Sequence, residues 1–378
     1  MPIDVLVSLP AGYLDGEDFR FGWSLLRSAV PGRWHVGHDE PLATLVSRVT
    51  PTLPRSADLC VLIPDPAIIV PAHCLSVLTD ALERYQAPAV VAASAGYFPA
   101  EAAPDYLTLH GLERYADRCR LLPLRTFSGD KPALVVVRRF LLDTIFAPDG
   151  SWRMPQGTLL VPGAPVHLYA DYHRSTRSEV LPLLPNTVSR LLDVGGGEGG
   201  FAAEAKRLRG CEVHVVEANA KAARAASERA DRVWDGDFLG IAFDTQFDCV
   251  TALDMIEHCV NTEAVLAKIY SLLTVEGTFI ASIPNLGHWS VLSDLLAGRW
   301  DYLPVGIACR SHLRFFTRHT IEEFWHRAGF KIAAMHPVTI PFPADSAQLL
   351  ASAAAAFAVP ANRESLDTYQ YLVVAQRS

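Results

Sequence analysis

Two groups of residues in this chain have the types and the spacing of working chemistry. The first lies in Arg190-Leu191-Leu192-Asp193-Val194-Gly195-Gly196-Gly197-Glu198-Gly199-Gly200, where an apolar run enters a glycine-rich turn and an Ala-rich helical pattern starts at Phe201. Glycine reaches positive φ without strain and lets a ligand touch the backbone, and a helix behind such a turn offers free N–H groups to a polar ligand. Gly195, Gly197 and Gly200 satisfy G-x-G-x-x-G, which with Glu217 further on is a dinucleotide pattern. Asp193 adds a second reading, D-x-G-x-G-x-G. A carboxylate at the end of that strand would repel a pyrophosphate but would help hold a cationic amino group if it faced the ligand pocket. The second group is Asp254, Glu257 and His258, whose i, i+3, i+4 spacing lets the side chains converge on a helical turn. His288 and His312 add two further imidazoles, able to act as bases near neutral pH.

The elements that must hold these groups are legible around them. From Val166 onward, strand and helix patterns alternate, as in a doubly wound α/β sheet. Glu212–Val216 reads as the second strand of that sheet and ends at Glu217, whose two oxygens suit a vicinal diol, with Ala218 and Asn219 beside the sugar. Val233–Phe238 brings in Asp237 and Phe238. Phe247–Asp254 reads as the fourth strand, so that Leu253 and Asp254 end beside the glycine turn, where open α/β sheets bind ligands. A fifth strand runs to Asn285, and two more, from Phe330 and from Tyr369, complete an antiparallel edge.

This series resembles class I S-adenosylmethionine-dependent methyltransferases, with Asp193–Gly199 as their first motif and Met255-Ile256-Glu257-His258 like the motif IV ending of small-molecule O-methyltransferases. The resemblance implies S-adenosylmethionine as cofactor, bound by Asp193, Gly195, Gly196, Gly197, Glu217, Ala218, Asp237, Phe238, Leu253 and Asp254. Asp237 would meet the adenine amino group, and Phe238 would pack near the ring. It also implies a helix over the cofactor that carries Tyr169, Tyr172 and Arg177, one of which would meet the methionine carboxylate or line the methyl path. The segment Asn285–Thr317, rich in rings and guanidiniums, resembles an acceptor-pocket insertion in bacterial methyltransferases found with glycosyltransferase modules. A hydroxyl acceptor needs a base, for which His258 is favoured over His288 and His312. Ubiquinone-pathway O-methyltransferases and small-RNA 2′-O-methyltransferases look similar at Asp254, Glu257 and His258 and bind a divalent metal with such residues, and His312-Leu313-Arg314-Phe315 resembles a further ligand of the latter family. No metal ligand is assigned on this reading, a metal being the less favoured alternative to a base. The competing functions are a nicotinamide oxidoreductase and a cofactor-binding accessory protein without catalysis.

The chain is expected to divide into an α/β domain over 1–165 and the methyltransferase-like domain over 166–378. In the first, Ile3–Leu9 reads as a strand, followed by a turn-rich segment with Gly12, Gly16, Pro31 and Gly32. Asp58–Pro71 reads as a buried strand, a turn and a second short strand, a further strand is expected at 89–94, helices at 71–86 and 107–119, and a strand at 133–137 leading into a helix at Arg138. Residues 147–166, with four prolines and three glycines, read as linker. Residues 55–145 loosely resemble a family 2-type glycosyltransferase domain, with Ser128-Gly129 and Leu134–Arg139 as later motifs. Where that family has D-x-D for a divalent cation, this chain has Asp65-Pro66-Ala67, so the resemblance implies a degenerate domain used for substrate recognition or dimer contacts. Residues 337–368 read as a lid or dimer element.

Composition sets the outer limits. With 378 residues and half of them apolar, there is material for two cores. The net charge of −8 with no basic stripe argues against a nucleic-acid surface. The seven cysteines are scattered with no C-x-x-C, as expected of reduced thiols. No secretory leader is apparent, and the longest apolar tract, 349–360, is too short to span a bilayer. A cytoplasmic protein with a small-molecule acceptor, without nucleic-acid or membrane partners and capable of homodimer contacts, is the expectation.

Overall fold

The computed structural model describes all residues except 1–2, 55–57, 96, 99–103, 105, 170–174, 341–347, 349–350, 353, 357–361 and 378. It resolves into two compact units, Met1–Ala170 with Asp301–Val305, and Asp171–Trp300 with Gly306–Ser378.

The first unit is built on β1 (Ile3–Leu9), α1 (Glu17–Ala29), β2 (Arg33–His38), α2 (Leu42–Val49), β3 (Leu59–Ile63), β4 (Ile68–Ile69), α3 (Cys74–Arg84), β5 (Ala89–Ala93), α4 (Leu109–Cys119), β6 (Arg125–Thr126), β7 (Val135–Arg138), β8 (Leu159–Pro165) and β9 (His167–Leu168). Seven strands form one sheet in the order β2-β1-β3-β7-β5-β8-β6. Both faces are covered, so the strands read as unbroken apolar runs rather than alternating ones. Val5, Val7, Val61 and Ile63 face Leu26, Leu78 and Leu82 of α1 and α3, while Leu6, Cys60 and Leu62 face Leu45, Val46 and Val49 of α2.

Three expectations are corrected here. The segment from Gly12 to Gly32 is not merely turns, because its glycines and prolines flank α1: Gly16 is the N-cap, and Pro31 and Gly32 follow the last turn. The supposed linker contains β8, a buried strand parallel to β5; its prolines fit because the register shifts between Ala92 and Ala93, where the ladder is irregular. After β7 the chain makes a 3-10 turn, Arg139–Thr144, instead of an α-helix. Asp65 folds its carboxylate back onto the Ala67 amide at 2.8 Å.

The second unit contains β10 (Arg190–Val194), α5 (Gly200–Arg209), β11 (Glu212–Glu217), α6 (Ala220–Ala226), β12 (Arg232–Asp235), β13 (Phe247–Leu253), α7 (Thr262–Leu272), β14 (Leu273–Pro284), α8 (Trp289–Leu296), α9 (Arg318–Arg327), β15 (Phe330–Thr339) and β16 (Thr368–Arg377). The sheet order is β12-β11-β10-β13-β14-β16-β15. The first five of these strands are parallel, and β16 runs antiparallel to both β14 and β15. One face packs Leu192, Val250 and Phe279 against α7 and α9, with Trp325 fully buried; the other packs Leu191, Val213 and Ile280 against α5 and α6. No helix among the described residues is long and apolar enough to cross a membrane. Of the expected lid over 337–368, residues 341–347, 349–350, 353 and 357–361 lie outside the described residues.

Candidate active site

The chain leaves β10 and moves outward to β11 in one direction, then returns to β13 on the other side, so the crossovers part at the carboxyl ends of β10 and β13. The glycine turn sits there. Gly195, Gly197 and Gly199 take φ of 78°, 55° and 79°, a region that a side chain rarely tolerates. The Gly195 amide donates to the Val216 carbonyl at 2.8 Å, which fixes the turn to the end of β11. Gly195 is exposed, and a Cβ there would lie 2.9 Å from Cγ of Met255.

Glu217 closes β11 as expected. One oxygen accepts from the Gly197 amide at 2.8 Å and the other from the Asn219 amide at 2.7 Å, so the carboxylate ties the turn to the second strand while keeping acceptor capacity. Ala218 beside it is exposed, and Asn219 caps α6. Gly196 is half-buried and Gly197 buried.

Asp193 departs from expectation. It is only 2% exposed, and its carboxylate accepts from Oγ1 of its cross-strand neighbour Thr251 at 2.7 Å. It lies beneath Gly196 and is not open to a pocket, because alternation along β10 turns residue 193 into the layer that holds Leu191. Burial pushes its pKa up to about 6, against the opposing pull of the Thr251 hydroxyl. The folded state therefore keeps this proton to higher pH than the unfolded chain, and stability falls as pH rises from 3.8 to about 6. Chemical denaturation across that window should show wild type losing on the order of 3 kcal/mol relative to Asp193→Asn; parallel pH profiles would refute the assignment.

Asp237 is exposed and starts the 3-10 turn Phe238–Gly240. The Phe238 ring is a correction too: it is buried in the core, 4.9 Å beneath the Lys268 ammonium, which donates to the carbonyls of Phe238, Leu239 and Ile241 at 2.6, 3.1 and 2.5 Å. The expected helix carrying Tyr169, Tyr172 and Arg177 is absent among the described residues. Tyr169 follows β9 in the first unit and is buried, Tyr172 lies outside the described residues, and Arg177 has a left-handed backbone with φ 48°. The Arg177 guanidinium donates to Glu179 at 2.7 Å, to Asp254 at 2.8 Å and to Gln370 at 3.2 Å. Leu253 is the half-buried last residue of β13, and Asp254 turns the chain with φ 52°.

Beyond Asp254, the 3-10 turn Ile256–His258 carries Glu257 and His258. Glu257 is 1% exposed, and neither of its oxygens has a hydrogen-bond partner among the described residues. Burial, and then the nearby charge of Asp254, hold its pKa well above the carboxylate range. His312 donates from Nδ1 to the Ile307 carbonyl at 3.0 Å, so its Nε2 carries a lone pair, 3.9 Å from Oε1 of Glu257. Burial and the neighbouring His258 lower the His312 pKa to about 4. His258 contacts Oγ of Ser311 through Nδ1 at 3.0 Å, with its ring edge-on to His312 at 4.7 Å. Ligand atoms of Glu257, His258 and His312 lie within 4.8 Å of one another. Asp254, the first member of the expected convergence, instead faces Arg177. His288 is also separate: it is fully buried and caps α8, its Nδ1 accepting from the Ser290 amide, so it serves structure instead of meeting an acceptor. Ser282, Gln370 and Ser311 were not singled out by sequence; a lone hydroxyl inside the apolar run of β14 was the available signal for Ser282.

The strand order β12-β11-β10-β13-β14-β16-β15, with its antiparallel last pair and its glycine turn after β10, is the Rossmann-like fold of class I methyltransferases. Residues 169–334 match the family model described as "Methyltransferase domain", so the C-terminal half of the chain carries a methyltransferase domain of the S-adenosylmethionine-dependent class. Among curated proteins, the ubiquinone biosynthesis O-methyltransferase of Psychrobacter arcticus is 26% identical over 151 residues, which is 37% of this chain. The chain spans 58% of that relative's length. Among solved structures, a SAM-dependent methyltransferase from Archaeoglobus fulgidus is 17% identical with TM-score 0.39, over 55% of this chain and 96% of that one. Magnesium protoporphyrin IX methyltransferase from Synechocystis PCC 6803 is 14% identical with TM-score 0.35, over 55% of this chain and 80% of that one. The family match leaves the nicotinamide reading without support.

Proposed function

We propose that this protein transfers the methyl group of S-adenosylmethionine to a hydroxyl oxygen of a small molecule or sugar-bearing metabolite. The observation that carries this reading is the placement of two chemistries side by side: the glycine turn with Glu217 follows β10 and β11, and the Glu257–His258–His312 group follows the adjacent β13. Glu217 would accept from the ribose hydroxyls, Gly195 would let the amino-acid part of the cofactor approach the backbone, and Asp237 would meet the adenine amino group. Asp193 supports the turn from below.

Methyl transfer from a sulfonium is an in-line displacement with a good leaving group, so alignment contributes most of the rate. A hydroxyl acceptor loses its proton as the C–O bond forms, and His258 would receive it. A divalent cation is the second reading, favoured by the orphaned Glu257 carboxylate facing a His312 lone pair. Glu257, His258 and His312 fit as its ligands, and a cation held there would lower the pKa of a coordinated hydroxyl. The first unit would serve acceptor recognition or dimer contacts, and the cytoplasm is the compartment that the free cysteines suit.

Calorimetric titration tests the cofactor. S-adenosylhomocysteine should bind with one-to-one stoichiometry while NAD gives no heat; NAD binding without S-adenosylhomocysteine binding would overturn the proposal.

A further inference from the structure

The second unit contains an unusual pair: Arg177 and Asp254 both occupy the left-handed region, at φ 48° and 52°, and their side chains form an ion pair at 2.8 Å. Neither residue is glycine, and such a conformation persists only where the surrounding contacts hold it. The contacts at Asp254 are dense. Its amide donates to Oγ of Ser282 at 2.8 Å, and that hydroxyl in turn donates to Oδ1 of Asp254 at 2.7 Å. The Gln370 amide donates to the same Oδ1 and accepts from Arg177 at 3.2 Å, so its orientation is set by a donor on one side and an acceptor on the other. Ser282 is fully buried, and Gln370 is 6% exposed. The Asp254 carboxylate is thus already engaged by three side chains from β14, β16 and the segment before β10.

What this clamp holds is the direction of the next four residues. Met255 lies against Gly195, Ile256 is fully buried, and Glu257 and His258 follow on one 3-10 turn. We propose that Ser282 and Gln370 are positioning residues that act through Asp254, keeping its left-handed turn so that Met255 bounds the glycine-turn pocket and Glu257 and His258 face His312. This rests on the reading of that pocket as the cofactor site. It replaces direct cofactor contact by Asp254 with a role in shaping the pocket.

The test uses Gln370→Ala and Ser282→Ala, each made in wild type and in Asp254→Gly, where glycine takes the turn without a clamp. Hydrogen exchange on the ligand-free protein reads the clamp without any cofactor: both variants should speed exchange at the amides of residues 254–258. S-adenosylhomocysteine titration reads the consequence. Each variant should weaken binding about tenfold in wild type, yet change it by less than about twofold in the Asp254→Gly background. Unchanged exchange, or equal weakening in both backgrounds, as a direct contact would give, overturns the proposal. If exchange responds but wild type does not bind S-adenosylhomocysteine, the clamp stands and the cofactor reading fails.

Discussion

Glu257→Leu is expected to raise the thermal midpoint of the protein and at the same time to abolish turnover. The carboxyl group is 1% exposed, and both oxygens lack a hydrogen-bond partner among the described residues. A polar group buried in this way costs about 1–3 kcal/mol, and a buried charge costs more. Leucine has a similar volume and needs no partner, so its side chain removes that cost, and the midpoint should rise by a few degrees, about 2–4 °C per kcal/mol in a body of this size. Function should move the other way. Whether Glu257 supports His258 as a base or belongs to a cation site, its loss should reduce methyl transfer at least about a hundredfold. Calorimetric melts give the first quantity. Release of S-adenosylhomocysteine over a panel of phenolic, polyol and sugar acceptors gives the second. A lowered midpoint would mean that Glu257 holds the fold together, and that the site lies elsewhere.

Gly195→Val should remove cofactor binding. The residue has φ 78°, and a Cβ would sit 2.9 Å from Met255 Cγ. A β-branched side chain adds strain in the left-handed region and occupies the exposed face of the turn. A loss of about a hundredfold or more in S-adenosylhomocysteine affinity is expected. Gly210→Val is the control. Gly210 also has a left-handed backbone, with φ 64°, but a Cβ there meets nothing within 4 Å, and the residue ends α5 at the opposite end of that helix. It should lower stability and leave affinity alone. Equal affinity losses in the two variants would show that backbone strain alone, and not obstruction of the turn, is being measured.

What could be read from sequence was whatever depends on neighbours along the chain. Parallel strands covered on both faces are continuous apolar runs, so β10, β13 and β14 could be recognised from residues such as Leu191-Leu192 and Phe279-Ile280, and the glycines after Val194 marked the turn. Breaker residues misled where they flanked an element or sat at a register shift: Gly16 and Pro31 hid α1, and Pro162 and Pro165 hid β8. Side-chain direction was not legible at all. The partner that satisfies Asp193 in its buried layer, Thr251, is 58 residues away, and Asp254 is held by Gln370, 116 residues away. The meeting of His312 with Glu257 likewise depends on a backbone pairing, in which the amides of Leu313 and Arg314 donate to the Glu257 carbonyl. No local pattern encodes such a pairing.

The three carbonyls gathered on Lys268 also bear on the choice of cation. Only five of the 33 cationic side chains in the sequence are lysine. A guanidinium is flat, and its N–H bonds diverge in one plane toward carboxylates or phosphates. Phe238, Leu239 and Ile241 offer oxygens from one short arc of backbone, with the rings of Phe238 and Phe243 at 4.9 and 5.2 Å. A compact tetrahedral head converges on such a nest where a planar one cannot. In a chain otherwise given to arginine, an exchange of lysine for arginine at 268 is therefore not a conservative change.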